Sequence, residues 1–305
     1  MRIVSLLPAA TEICFALGLG PDVVGVSPEC DYPPAALDKR VVSRVLMDYE
    51  GKTSAETSRM VGERLETGGA LYEVDEAALR ELEPDLILTQ GLCEVCAPSI
   101  GDVKDVASRL PKKPEVLSLD PHGLRDLLED IRRVGKACGA EEAAEASIAG
   151  LRERMAAIAL RTTKIQRRPK VLCLEWLDPL FLAGHWVPEM VELAGGTNVI
   201  AVPGEKSRRV EPKGVVMASP DVAILMPCGF HMDRTIKEAP TVAGRPWWSD
   251  LPAARREQVW LVDGSSYFNR PGPRVVDGLE ILAHILHPQE FPKTWSSKDV
   301  QRWTR

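Results

Sequence analysis

Glu83-Pro84-Asp85-Leu86-Ile87-Leu88 recurs 136 positions later as Ser219-Pro220-Asp221-Val222-Ala223-Ile224-Leu225. Each copy reads as a helix end, a Pro-Asp turn and a buried strand, because proline cannot continue a helix and the apolar run after it has strand length. A second echo has a wider offset of 176: Leu17-Gly18-Leu19-Gly20-Pro21-Asp22-Val23-Val24 against Leu193-Ala194-Gly195-Gly196-Thr197-Asn198-Val199-Ile200. The offsets differ by about 40, so two related halves are expected, with about 40 extra residues between the echoes of the first. Strand ends that face each other from two such lobes would form a ligand cleft.

Around the echoes, strand and helix signals alternate. Ile3 to Leu7, Val23 to Val26, Leu86 to Thr89 and Val116 to Leu119 read as strands; Thr11 to Leu17, Ile100 to Leu110 and Leu124 to Cys138 read as helices. This predicts mostly parallel sheets with crossover helices. Glu141 to Arg161 differs. It has no proline, carries Ile148, Leu151, Met155 and Ile158 at helical spacing, and places acid at its start and base at its end. Pro169 then opens a second half, with strands Val171 to Leu174 and Val259 to Val262 and a last helix Val275 to Ile285. The predicted fold is α/β: two Rossmann-like lobes, residues 1–139 and 169–292, joined by a single long helix within a connector, 140–168. A polar tail, 293–305, is expected to be loosely held.

Of the 305 residues 45% are hydrophobic and 27% charged, which describes a globular protein. The net charge of −6, without an arginine-rich or aromatic-basic stretch, argues against nucleic acid. No run reaches the ~18 apolar residues of a membrane span. Met1 to Pro8 leads straight into the first strand, without the features of a secretory signal. Seven cysteines without framework spacing suit a reducing compartment, so a cytoplasmic location is expected. Gly18-Leu19-Gly20 follows a helix and reads as its cap. With no phosphate loop and no Gly-x-Ser-x-Gly elbow, ATPase and serine hydrolase chemistry lack support, and no catalytic residues are assigned.

Three loops at strand ends carry binding chemistry. Asp31-Tyr32-Pro33-Pro34 presents Tyr32 on a proline-stiffened backbone. Tyr267, Phe268 and Arg270 lie on a similar loop after strand Val259 to Val262, a combination suited to a flat ligand with a polar edge. Gly184-His185-Trp186-Val187-Pro188 starts a helix, where His185 also has a purely structural reading. Cys93-Glu94-Val95-Cys96 leaves three readings open. The thiols form a redox pair acidified by the helix beginning near Ile100; they join Cys228 and His185 as ligands to zinc or another soft metal; or they are small buried residues.

Taken together these motifs resemble the solute-binding proteins of ABC importers for cobalamin and iron-siderophores, and within that family the cobalamin-binding branch. Ser5-Leu6-Leu7-Pro8-Ala9-Ala10-Thr11-Glu12 is similar to its first strand-to-helix turn. Asp31 to Pro34 is similar to its tyrosine loop, Leu82 to Ile87 to its Pro-Asp strand, and Tyr267 to Arg274 to its second aromatic loop. The resemblance spans roughly residues 1 to 290. It implies a ligand-binding set of Pro8, Thr11, Tyr32, Gln90, His185, Trp186, Tyr267, Phe268 and Arg270. Tyr32 would form one wall, Tyr267, Phe268 and Trp186 the other, and Arg270 would meet amide or phosphate groups. Gln90 stands where the family places an aromatic, and Cys93, Cys96 and Cys228 have no counterpart. The expected function is binding of cobalamin or another corrinoid, with an ABC permease or a corrinoid-dependent enzyme as partner. The alternatives are an iron-siderophore or heme binder, and a metal-binding or thiol redox factor.

Overall fold

In the computed structural model, which describes residues 1–92, 95, 97–293 and 295–304, the strands of one large sheet all precede the long helix and those of the other all follow it. Contacts group the chain into two units. The first holds Met1–Gly51, Arg59–Pro121 and Arg125–Gly150; the second holds Lys52–Ser58, His122–Leu124 and Leu151–Arg305.

The first half runs β1 (Ile3–Ser5), α1 (Pro8–Ala16), β2 (Val23–Val26), β3 (Arg40–Val41), β4 (Ser43–Val45), α2 (Ser54–Glu66), β5 (Tyr72–Val74), α3 (Glu76–Leu82), β6 (Leu86–Thr89), α4 (Ile100–Arg109), β7 (Glu115–Ser118) and α5 (Leu124–Ala137). Its sheet has the order β3-β2-β1-β6-β7 with every neighbour parallel. Val4, Leu6, Leu79, Ile87 and Val103 pack together in its core. Strands β4 and β5 pair only with each other. With α2 between them they supply the extra residues that separate the echoes in this half.

Helix α6 (Glu141–Thr162) is continuous, with Glu141 and Glu142 in its first turn and Arg161 in its last, charges that complement the helix dipole. The second half runs β8 (Lys170–Leu177), β9 (Leu180–Leu182), α7 (Val187–Leu193), β10 (Thr197–Asn198), β11 (Arg208–Arg209), α8 (Pro212–Ala218), β12 (Val222–Leu225), α9 (Met232–Ala243), α10 (Pro252–Arg255), β13 (Val259–Val262), α11 (Gly264–Tyr267), α12 (Val275–Leu286) and β14 (Val300–Arg302). Strands β10, β8, β12 and β13 run parallel, while β9 folds back on β8 and β14 on β13. The sheet combines a parallel centre with antiparallel strands at its edges: β9 returns on β8 through a short turn, and β14 reaches β13 after α11 and α12.

Both echoes land at equivalent places. Helices α3 and α8 each end in a left-handed residue, Glu83 (φ 44°) and Ser219 (φ 50°), directly before Pro-Asp. Asp85 then accepts the Arg2 amide at 2.7 Å, and Asp221 accepts the Lys170 amide at 3.1 Å. In both cases the aspartate's own amide returns a 2.8 Å bond to the same neighbour's carbonyl. A cation covers each carboxylate, Lys112 on Asp85 and Arg256 on Asp221. The Pro-Asp dipeptide is thus a stitch between two adjacent strands.

The tail corrects an expectation. Val300–Arg302 extends the second sheet by pairing antiparallel with β13, and Val300 is buried. The sequence there is polar because an edge strand exposes one face.

Candidate functional site

In the first unit the strand ends are joined by small polar side chains. The Thr11 hydroxyl lies 2.8 Å from the Ser5 hydroxyl and 3.1 Å from the Cys30 thiol, and the Ser27 hydroxyl lies 3.2 Å from the same thiol. All four are buried, so each satisfies another in place of water. Pro8 occupies the first turn of α1, where its missing amide costs nothing. Thr11 is fully enclosed. Tyr32 is 43% exposed. Gln90 is buried at the end of β6. Beyond it Asp120 accepts the Gly91 amide and, at 2.7 Å, the Ser118 hydroxyl, tying the ends of β6 and β7 together. Cys93 and Cys96 lie outside the described residues.

The second unit's strand ends carry rings and charges. At the end of β8, Trp176 meets the Phe230 ring edge-on, 5.3 Å between centroids. The Arg234 guanidinium lies 3.7 Å from the centre of the Phe230 ring, close enough for a cation–π contact. Lys52–Ser58 groups with this unit, and its backbone meets the same residues: Trp176 donates to the Ser54 carbonyl at 3.2 Å and Arg234 to the Lys52 carbonyl at 3.1 Å. After β12 come half-buried Cys228 and then His231, whose Nδ1 lies 2.9 Å from Asp263 at the end of β13. The other oxygen of Asp263 accepts the Ser266 amide at 2.7 Å and caps α11.

The aromatic loop divides. Tyr267 is half-buried, and its hydroxyl donates to Asp299 at 2.9 Å. Burial and that bond push its phenol well above the ordinary range, against an opposing pull from Arg274. Arg270 is half-buried. Phe268 has no exposed surface, and Trp186, 4% exposed, donates its indole N–H to the Phe268 carbonyl at 2.8 Å. These two lock the loop to the start of α7, and neither presents a face to a ligand. Sequence cannot separate an aromatic that packs from one that binds, since both are apolar and both favour strand ends.

His185 sits in the left-handed region (φ 53°), and its ring contacts those of Trp186 at 5.5 Å and His122 at 5.8 Å. Its Nδ1 is buried without a partner among the described residues. Burial first, then His122 and Lys206, hold its pKa below the usual histidine value, so the ring is neutral at pH 7. Among the described residues no group of three or more His, Cys, Asp or Glu could hold a metal ion. Burial pushes the Cys173 thiol up to about 12 and Cys138 up to about 11, so neither supplies a thiolate at neutral pH.

Several features of this face escaped sequence reading. Trp176 lies beyond the point where strand Val171 to Leu174 was expected to stop. Phe230 lies in the turn before α9 and Arg234 in its first turn, so their contact is not a helical pair that sequence spacing announces. Asp299 lies in the tail and gives no signal. A cavity of about 250 Å³ lined by Trp248, Arg255, Glu257 and Trp303 also borders Val259, the first residue of β13, so it opens away from the strand ends. Among the described residues no helix is long and apolar enough to cross a membrane.

The family model described as periplasmic binding protein matches residues 3–265. Among curated relatives, the vitamin B12-binding protein of Vibrio cholerae is 27% identical over 286 residues, covering 93% of this chain and 88% of its own length. The solved periplasmic vitamin B12 binding protein of Vibrio cholerae superposes with a TM-score of 0.66 at 22% identity, covering 93% of this chain and 96% of that one. A periplasmic heme binding protein from Pseudomonas aeruginosa superposes with a TM-score of 0.74 at 20% identity, covering 100% of this chain and 98% of that one. At these identities the structural likenesses establish the fold.

Proposed function

Since the chain belongs to the periplasmic binding protein family, whose members are substrate-binding proteins of ABC transporters and not enzymes, we propose that its ligand is a corrinoid such as cobalamin. The observation that carries this reading is the kinship over 93% of the chain with a vitamin B12-binding protein. The second unit's strand ends supply matching chemistry. Rings at Trp176 and Tyr267 suit the broad faces of a macrocycle, and Arg234 and Arg270 suit its polar periphery. A flat ligand of this size buries much apolar surface, and rigid aromatics contribute that burial with little loss of side-chain freedom. The receiving partner is then an ABC permease.

The thiol and zinc alternatives gain no support from the described residues, which hold no cluster of ligands. Heme remains the competing cargo, since heme binders share the fold. The test is the visible spectrum of purified protein after incubation with cyanocobalamin or hemin and removal of unbound ligand by gel filtration. Retention of cyanocobalamin at one equivalent is expected. Retention of hemin alone would overturn the corrinoid assignment within the same family.

A further inference from the structure

Strand β14 brings a tail residue to the second unit's strand ends. It runs antiparallel to β13, and its first residue, Val300, pairs with the last residue of β13, Val262. Asp299 therefore stands just past the end of β13, beside the loop that carries Tyr267. Its carbonyl accepts the Asp263 amide at 2.9 Å, fixing its height along the strand. Its carboxylate is shared: Oδ2 accepts the Ser296 amide at 3.0 Å and hydroxyl at 2.7 Å, leaving Oδ1 for the Tyr267 hydroxyl at 2.9 Å. Arg274 bounds the other side of the phenol, its guanidinium 5.8 Å from the ring centre.

We propose that Asp299 is a positioning residue of the ligand site, clamping the Tyr267 hydroxyl so that the ring is held in one position before a flat ligand arrives. The proposal rests on the corrinoid reading and deepens it, making the C-terminal strand part of the recognition apparatus. A ring already fixed spares binding the cost of ordering it. The geometry also supplies the restraint: of the side chain's two rotatable bonds, a hydrogen bond at the far end holds χ1, while χ2, whose axis runs through the hydroxyl oxygen, is restrained only by the preference of O–H for the ring plane. The clamp has its own signature, because a phenol donating to a carboxylate in a half-buried setting resists ionisation. Asp263 adds to that resistance and Arg274 opposes it.

The test combines tyrosinate absorbance titration with cyanocobalamin affinity in Asp299→Ala, Asp299→Asn, Tyr267→Phe and the Asp299→Ala/Tyr267→Phe double variant. Of the four tyrosines, one should ionise well after the others in the wild type. Asp299→Ala should move that late phase down by about one pH unit or more, and Tyr267→Phe should abolish it. Affinity should fall about tenfold in Asp299→Ala and less in Asp299→Asn, whose amide oxygen still accepts. In the Tyr267→Phe background, Asp299→Ala should cost nothing further. Ser296→Ala, which removes one of the two Ser296 donors to the carboxylate and leaves the amide, separates loosening of the tail from loss of the clamp; it should leave affinity unchanged. An unmoved late phase in Asp299→Ala, or an affinity loss that persists in the Phe background, overturns the clamp. Wild-type protein that binds no cyanocobalamin defeats the corrinoid reading and the ligand role of Asp299 together, while the titration still reads the clamp separately.

Discussion

Asp85 and Asp221 do the same work in the two units, each taking the amide of a residue at or just before the start of an adjacent strand and returning its own to that residue's carbonyl. At the other ends of the same sheets the two units part company. The first closes its strand ends with Ser5, Thr11, Ser27 and Cys30, small groups that satisfy one another out of water. The second ends in Trp176, Phe230, Arg234, His231, Asp263 and Tyr267, large or charged groups of which Phe230 and Asp263 are buried and the others partly exposed. The repeat therefore preserves how strands are stitched and leaves the functional ends free to differ. Fold resides in the shared corner and chemistry in the divergent rim.

That contrast can be broken by mutation. The largest effect is expected from Phe230→Ala. The ring is 1% exposed and supports both Trp176 and Arg234. Its loss should cost about 4 kcal/mol in chemical denaturation, with a clear fall in ligand affinity in the variant that remains folded. A cost below about 1 kcal/mol would mean that the ring packs less tightly than its burial implies. Next is Tyr267→Ala, expected to weaken cyanocobalamin binding by about 2 kcal/mol, roughly 30-fold. Unchanged affinity would remove Tyr267 from the site.

In the first unit Thr11→Val should behave oppositely. It strands the partners of a buried hydroxyl and should cost about 1.5 kcal/mol of stability while leaving affinity intact. Affinity lost at unchanged stability would show that the hydroxyl network contacts ligand.

Asp130, on α5, gives a smaller and pH-dependent effect. Burial pushes its carboxyl up to about 6, well above the usual aspartate range, despite the Arg133 guanidinium at 2.7 Å. Because the folded-state value lies above the unfolded one, the contribution is fully present below the unfolded pKa and is lost as pH rises towards the folded one. Asp130→Asn should therefore raise stability at pH 7 by about 1 kcal/mol and flatten the profile between about pH 4 and 6. A thermal melt series with the same slope in both proteins would refute this. Lys298→Ala, on the exposed side of the tail, should change neither stability nor binding by more than about 0.5 kcal/mol.

Much of the scaffold was legible because it rests on local rules. Val23–Val26, Leu86–Thr89 and Val259–Val262 are apolar runs bounded by turn residues, and the structure forms those strands over the same ranges. Glu141 to Arg161 lacks a breaker other than Gly150, and α6 is unbroken through it. The edges were illegible for the converse reason. Strands β9, β11 and β14 are only two or three residues long, and β11 and β14 depend on a neighbour far away in sequence. The proline-stiffened loops read from sequence follow β2 and β13. Which aromatics there turn outward is decided by packing: Trp186 and Phe268 fill the interior, while Tyr267, held from the tail, does not. The Trp176–Phe230–Arg234 contact joins residues from two different elements, so no single stretch announces it.

Calorimetric titration of the intact protein with cyanocobalamin, with hemin in a parallel cell, addresses the central claim most directly. The account predicts one-to-one binding of cyanocobalamin with a Kd in the micromolar range or tighter, about −8 kcal/mol or better, and weaker binding of hemin. No detectable heat with cyanocobalamin at high micromolar concentration, or a clear preference for hemin, would contradict it.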